Sequence, residues 1–355
     1  MSAKTVYVGM SGGVDSSLSA ALLLEQGYKV VGVYMKNWTQ DIPGFICPWK
    51  EDFQDAKRVT VRLGIDLKVF DFEEQYRQKV VDYMIDEYKI GRTPNPDIMC
   101  NQEIKFKLFL EAALEQGADM IATGHYARVT HGGDGTGSLH VAANKIKDQT
   151  YFLYRVSEQA LGKTLFPIGD FTTKADVRAR AHDFNLPTAD KKDSQGICFV
   201  GKVGIKEFLK QYVTAKPGPI IDSHSQTIGQ HDGVIFYTIG QRHGLDVGGG
   251  LPYYVTHKDM ALNTVYVTAD LQDASLWSHA VTLRSVHWIN KAPLDQTYQV
   301  RLRYRGPLIK CTILVTADSA IIELADQQRA VAAGQSAVVY DGDRVIGGGI
   351  ISAVA

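Results

Sequence analysis

Residues 9–16 read G-M-S-G-G-V-D-S, between the β-branched run T-V-Y-V that begins at Thr5 and the apolar run S-L-S-A-A-L-L-L that ends at Leu24. A strand that feeds a glycine-rich turn and opens a helix starts a βα unit, and the amides pooled at the helix N-terminus form an anion site. A Walker loop adds a lysine to reach the β and γ phosphates, because that chemistry breaks the γ bond. This loop has none. Its donors are the amides of Ser11 to Val14 and the Ser11 and Ser16 hydroxyls, a cradle suited to a pyrophosphate that leaves as one unit. The expected reaction is therefore at an α phosphate, with AMP passing to an acceptor. Asp15, an anion in an anion site, meets Mg²⁺ or fixes the loop amides. The plainer reading is a tight turn that needs glycine for its shape, but S-G-G-V-D-S in this setting is far more specific than a bare G-x-G-G.

Working outward, short β-branched runs alternate with helical patterns over the first 130 residues, which predicts a parallel sheet covered on both faces. Strands are expected at Thr5 to Val8, Lys29 to Met35, Leu67 to Asp71 and Asp119 to Thr123. Helices are expected at Ser16 to Gln26, Glu51 to Leu63, Glu73 to Tyr88 and Asn101 to Gln116. G-G-D-G-T-G-S from Gly132 reads as a hairpin tip or loose loop. A helix from Lys174 to Phe184 has Thr173 as its cap, and another spans Ile205 to Val213. The breakers Lys216-Pro217-Gly218-Pro219 mark a boundary, and a weaker one falls near Ser275. The expected units are thus 1–216, 217–275 and 276–355. Beyond residue 216 nearly everything is strand and turn: Val265 to Thr268, Tyr298 to Tyr304, Thr312 to Val315, Ile321 to Leu324, Ser336 to Tyr340 and, after the turn Asp341-Gly342, Arg344 to Ile346. One or two small antiparallel barrels suit such strands.

The chain has 355 residues, 45% hydrophobic and 22% charged, which is enough for several packed domains. No apolar run approaches bilayer length and no leader pattern opens the chain, so a cytoplasmic protein that is monomeric by default is expected. Four cysteines, Cys47, Cys100, Cys198 and Cys311, include no C-x-x-C pair, so no metal site is expected. The net charge of −1 requires any nucleic-acid partner to meet a local basic surface.

Two further stretches carry chemistry. In N-P-D-I-M-C-N-Q-E-I-K-F, Asn95 to Phe106, Pro94 and Pro96 force an extended approach, and a helix beginning near Asn101 would set Cys100 at its N-terminus, favouring thiolate. Asp97, three residues earlier, could share a substrate as acid or base. In D-S-Q-G-I-C-F-V, Asp193 to Val200, Cys198 lies among Lys191, Lys192 and Lys202. For each cysteine the small buried hydrophobe remains the competing reading. Arg301, Arg303 and Arg305 alternate along an expected strand, giving a basic face for phosphates or a merely solvated one.

The loop resembles that of the N-type ATP pyrophosphatases. All three stretches together, in order with T-G-H-Y-A at Thr123, K-D-Q-T-Y at Lys147, T-I-G-Q-R-H-G-L at Thr238 and R-Y-R at Arg303, resemble the MnmA family of tRNA-specific 2-thiouridylases along the whole chain. That resemblance implies an α/β fold in which a doubly wound ATP pyrophosphatase domain precedes two small all-β domains. It implies a sulfurtransferase that adenylates the C2 oxygen of a tRNA wobble uridine and then replaces that oxygen with sulfur. ATP and Mg²⁺ would be used. Cys198 would carry a persulfide from a cysteine desulfurase or a relay protein, Cys100 would be the second thiol, and Asp97 the acid or base. The ATP site would comprise Gly9, Met10, Ser11, Gly12, Gly13, Val14, Asp15, Ser16, Met35 and Gly124. Contacts to tRNA would come from Asn95, Pro96, Asp97, His125, Lys147, Asp148, Gln149, Arg303, Tyr304 and Gln335. For His125 a satisfied histidine at a strand end is the alternative. Two other classes remain open on the residues: an adenylating ligase or amidotransferase without paired thiols, and a tRNA-binding protein regulated by nucleotide.

Overall fold

The computed structural model describes residues 3–41, 46–192, 204–245, 247–248, 250, 252–294 and 296–355. The first seven strands are β1 Thr5–Gly9, β2 Lys29–Lys36, β3 Asp66–Asp71, β4 Met120–Ala122, β5 Arg128–His131, β6 Gly137–His140 and β7 Thr164–Leu165. Five of them form a parallel sheet in the order β3-β2-β1-β4-β7. Successive side chains of a strand point to opposite faces, and β1 sorts accordingly. Val6 and Val8 enter the core shared with α1 (Val14–Glu25), α2 (Trp49–Leu63) and the helix Lys174–Asp183, while Tyr7 enters the core on the other face. That second face is covered by two long helical runs, 73–89 and 96–115, each with a π segment in its middle, at Arg77–Asp82 and Cys100–Leu108.

The middle domain is a four-stranded sheet of β8 Gly218–Ile221, β9 Thr227–His231, β10 Tyr254–Asp259 and β11 Thr264–Thr268, in the order β10-β11-β8-β9. Six antiparallel strands follow: β12 Trp277–Trp288, β13 Tyr298–Arg301, β14 Ile309–Val315, β15 Ser319–Arg329, β16 Ser336–Asp341 and β17 Arg344–Val354. Pairing of β12 with β17 closes them into a barrel. The expected architecture, a parallel α/β sheet followed by small β units, is the observed one. The G-G-D-G-T-G-S segment is the tip of the β5–β6 hairpin, where Asp134 Oδ1 accepts from the Thr136 amide at 3.0 Å and its hydroxyl at 2.7 Å. That hairpin extends the barrel sheet beside β17, with the Val141 amide donating to the Asp343 carbonyl at 2.7 Å. The part of the chain that carries the parallel sheet therefore adds two strands to the sheet of the C-terminal barrel.

Three sequence expectations change. The helix expected from Asn101 begins at Pro96, whose fixed φ and missing N–H suit a first helical position. Helix Ile205–Leu209 stops short of Val213. Strand β13 ends at Arg301, and Arg305 has a φ of 58° in the turn that follows. Arg301, Arg303 and Arg305 therefore share no strand face. Arg301 turns inward: its Nη1 lies 3.5 Å from Asp148 Oδ2, and its guanidinium 5.4 Å from the Tyr340 ring centre. Asp148 is 2% exposed and also accepts from the Ala142 amide at 3.0 Å and the Thr150 hydroxyl at 2.8 Å. This pair ties the 142–150 loop to the barrel. Asp148→Ala is expected to cost about 3 kcal/mol, because it strands a mostly buried guanidinium. A thermal scan showing an unchanged barrel transition would refute that role.

Candidate active site

The phosphate loop is held by its own hydroxyls. The Ser16 hydroxyl donates to the Gly13 carbonyl at 3.1 Å and accepts from the Ser11 amide at 3.2 Å, and the Ser17 hydroxyl donates to Gly13 at 2.8 Å. Gly12 has a φ of 75°, and a Cβ there would lie 2.4 Å from the Asp52 carbonyl oxygen. A Cβ on Gly124, just beyond β4, would lie 2.6 Å from the Ser16 amide nitrogen, and one on Gly9 would lie 2.9 Å from the Met35 Cε. The loop, Met35 and Gly124 thus meet at the carboxyl ends of β1, β2 and β4, where open α/β sheets bind ligands.

A lysine does reach this loop, from far along the chain. Lys174 Nζ donates to both oxygens of Asp15 at 2.8 Å, and the Tyr126 hydroxyl donates to Asp15 Oδ1 at 3.0 Å. Lys174 is the first residue of its helix, capped by Thr173, whose hydroxyl accepts from the Asp176 amide while Asp176 accepts from the Thr173 amide. Neither Lys174 nor Tyr126 was legible as a site residue. The T-T-K-A-D capping pattern predicts a helix start but not what it faces.

Gly124 leads to His125, whose Nδ1 is 2.8 Å from the Thr123 hydroxyl and whose Nε2 is 3.5 Å from Lys105 Nζ. Burial and then Lys105 hold His125 well below the ordinary histidine range. The ring is therefore neutral, with Nε2 facing the ammonium as acceptor. Lys105 stands on the helical run that begins with Asp97 and Cys100. Burial pushes the Asp97 carboxyl up, opposed by Lys105. Such a carboxyl can hold a proton nearer neutral pH than an exposed aspartate does.

Cys100 differs from expectation. It is 2% exposed, inside the second turn of its helix, in the core that includes Trp38, Ile104 and Phe106. The early start at Pro96 puts Asp97, not Cys100, in the first turn. Cys198 and Lys202 lie outside the described residues. Lys191 has its charge taken up by Asp52 and Asp55, each at 2.7 Å. It is not available to depress a thiol pKa as the sequence suggested.

The residues expected around the nucleic acid fall into two groups. Asn95 Nδ2 donates to the Tyr151 hydroxyl and to Gln335 Oε1, both at 3.3 Å, and Gln335 Nε2 donates to the Thr93 carbonyl at 2.8 Å. Thr93 also meets Thr238 of the middle domain at 3.1 Å. All three domains therefore converge at 93–95. Tyr304 packs on Phe152 with ring centres 4.4 Å apart, beside exposed Arg303 and Arg305. Gln149 sits one step from the loop, its Oε1 accepting from the Tyr126 amide at 2.9 Å. Lys147 is half-buried on the same segment and Pro96 is buried. Asp148 is spent inside the chain and presents nothing to solvent.

A family model described as tRNA methyl transferase HUP domain matches residues 4–202, one described as tRNA methyl transferase PRC-barrel domain matches 206–269, and one described as aminomethyltransferase beta-barrel domain matches 278–351. The tRNA-specific 2-thiouridylase MnmA of Bacillus velezensis is 47% identical over 98% of this chain and 95% of its own length. The Bacillus subtilis protein of that name is 46% identical over 98% and 95%, and that of Streptococcus sanguinis 45% over 98% and 94%. This chain belongs to the MnmA family. Among solved structures, a 4-thiouridine synthetase–RNA complex with bound ATP is similar over 59% of this chain and 50% of that chain, at 18% identity and a TM-score of 0.37. Among the described residues of this MnmA-family chain, no helix is long and apolar enough to cross a membrane, and no cluster of three or more His, Cys, Asp or Glu could hold a metal.

The contact at Gly124 gives a direct test of the cradle. Gly124→Ala must push the Ser16 amide outward, so ATP affinity is expected to fall at least about fivefold, the lower end of what overpacking costs. Isothermal titration with ATP checks this, and unaltered affinity would mean that the nucleotide does not use the Ser16 amide.

Proposed function

We propose that this chain converts the wobble uridine of tRNA to 2-thiouridine, using ATP to turn the C2 oxygen into a leaving group. The observation that carries the reading is the continuity of Ser16, Gly124, His125 and Lys105 between the phosphate loop and the helix of Asp97 and Cys100. The C2 oxygen attacks the α phosphorus and the bond to pyrophosphate breaks. Amides and hydroxyls of residues 9–16 hold the departing pyrophosphate, with Met35 and Gly124 against the adenosine. Asp97 supplies or takes the proton at the base. The terminal sulfur of a Cys198 persulfide attacks C2 and AMP leaves. Cys100 thiolate then attacks the Cys198 sulfur, leaving sulfur on C2 and a Cys100–Cys198 disulfide. Attack on the persulfide before transfer, releasing sulfide, ends in the same disulfide, so a dithiol must return two electrons each turnover.

Mg²⁺ fits this site in one way: Asp15 is the acidic residue in the first turn after the loop, so the ion would be held by Asp15 and the phosphates and would neutralise phosphate charge. Asn95, Pro96, His125, Lys147, Gln149, Arg303, Tyr304 and Gln335 form the tRNA side, and Asp148 braces it through Arg301. We divide the chain at 216 and 275, and take a cysteine desulfurase or relay protein as the sulfur source for a monomeric, cytoplasmic enzyme. The test is nucleoside analysis of tRNA incubated with the protein, ATP, Mg²⁺ and a sulfur source. ATP-dependent 2-thiouridine supports the reading. AMP and pyrophosphate without a thiolated nucleoside, or a methylated one instead, would overturn it.

A further inference from the structure

The two faces of the parallel sheet are unequally used. The 96–115 run, Tyr151 and the β domains lie on the Tyr7 face, and they supply Pro96, Arg303, Tyr304 and Gln335 of the residues proposed to touch tRNA, with Asn95 bonded to Tyr151 and Gln335. The opposite face carries α2, whose Ala56 and Val59 pack inward while Lys57, Arg58, Val61 and Arg62 point outward. These outward residues, with Asn185 and Pro187, line an open groove of about 480 Å³. Val61 is 74% exposed at its centre, and three cations surround it without an acidic residue in the lining. Arg58 Nη1 lies 2.9 Å from Asp55 Oδ1, and the second oxygen of Asp55 accepts from Lys191 at 2.7 Å. The groove is thus tied to the point from which the chain runs on to Cys198. Arg178 reinforces that tie by donating to the carbonyls of Ala189 and Lys191 at 2.6 and 2.8 Å. Cys198 follows seven residues after Lys191 (198 minus 191).

We propose that this α2 groove is the docking surface for the persulfide-bearing sulfur donor, a protein presenting an acidic rim around an apolar contact. The inference rests on the persulfide role of Cys198 given above. A donor on this face leaves the tRNA face occupied only by tRNA, and it meets the chain beside Lys191, seven positions before Cys198 in the sequence. There the Cys198 thiolate attacks the donor's terminal sulfur; the donor's S–S bond breaks, its electron pair stays on the donor thiolate, and Cys198 gains the persulfide without net oxidation. A protein suits the groove better than RNA, because the groove centres on an aliphatic side chain and offers no aromatic ring for a base to stack on.

The experiment uses a cysteine desulfurase charged with ³⁵S-cysteine as the donor, and the full chain carrying Lys57→Glu with Arg62→Glu, or Val61→Asp. Binding is read by fluorescence anisotropy, label transfer by electrophoresis, and thiolation is run in parallel with inorganic sulfide. Expected are a complex with the wild type, at least a tenfold loss of binding and of label transfer in both variants, and unchanged sulfide-driven thiolation. Unchanged transfer, no wild-type complex, or loss of tRNA affinity instead would overturn the docking surface, the last marking it as an RNA surface. Cys198→Ser separates the two ideas. If it still binds the donor but another residue takes the label, the persulfide reading fails while the binding data still decide the groove.

Discussion

Cys100→Ser is expected to abolish 2-thiouridine formation, by at least about 10³-fold, while ATP is still cleaved to AMP and pyrophosphate when tRNA is present. The two halves of the reaction use different parts of the molecule. Adenylation needs the cradle of residues 9–16, Gly124 and the Asp15 group. Sulfur transfer needs a thiol that can break the bond between Cys198 and its sulfane sulfur. Serine fills nearly the same volume in the core around Ile104 and Phe106 but cannot form the disulfide with Cys198 that releases the sulfane sulfur. Cys198→Ser should give the same split. Burial, the competing reading of Cys100 in the sequence, is the one observed: at 2% exposure the thiol should resist alkylation in the resting chain and become reactive only when substrate rearranges its surroundings. Nucleoside analysis with a parallel pyrophosphate assay checks the first claim, and iodoacetamide labelling with and without tRNA the second. Wild-type levels of 2-thiouridine from Cys100→Ser would end the two-thiol mechanism.

What was legible in the sequence depended on how local the cause was. Strands β1 to β3 and helix α2 differ from expectation by at most two residues at either end, because β-branched runs and a 3.6-residue apolar period are fixed by neighbours in sequence. The capping box at Thr173 was likewise local. The pairing of the β5–β6 hairpin with β17 was not, since its register is set by a strand more than 200 residues later. Strand β7, only Thr164–Leu165, has no periodicity to read. The Pro96 start was missed because two prolines were read as an extended approach, when the second occupies the one helical position that tolerates proline. Among the site residues, motif spacing found the loop but could not show that Asp148 and Arg301 face each other, or that Lys191 is neutralised by α2. Both depend on which charges the fold brings together.

The same limit explains Lys174, where the second large effect is expected. Lys174→Met should lower tRNA-dependent pyrophosphate release by about 10²- to 10³-fold, the range seen when one charge stabiliser of a transition state is removed. The ammonium is 17% exposed and sits at a helix N-terminus, where the dipole opposes a cation. Asp15, in the first turn after the phosphate loop, holds it with both oxygens. A bound triphosphate and its counter-ion would give Asp15 a competing cation and Lys174 a stronger anion. The exchange puts a positive charge beside the pyrophosphate as it leaves, supplying from a distant helix what a Walker loop carries within itself. Asp15 is only partly buried, so losing its partner should cost little stability, and Lys174→Met should melt within a few degrees of the wild type. Coupling separates a working ammonium from a surface ion pair. In a double-mutant cycle, Asp15→Asn and Lys174→Met should be strongly non-additive in kcat/KM for pyrophosphate release. A single-mutant rate within threefold of wild type would leave Lys174 as an ordinary ion pair, and the loop would then act through its amides and hydroxyls alone.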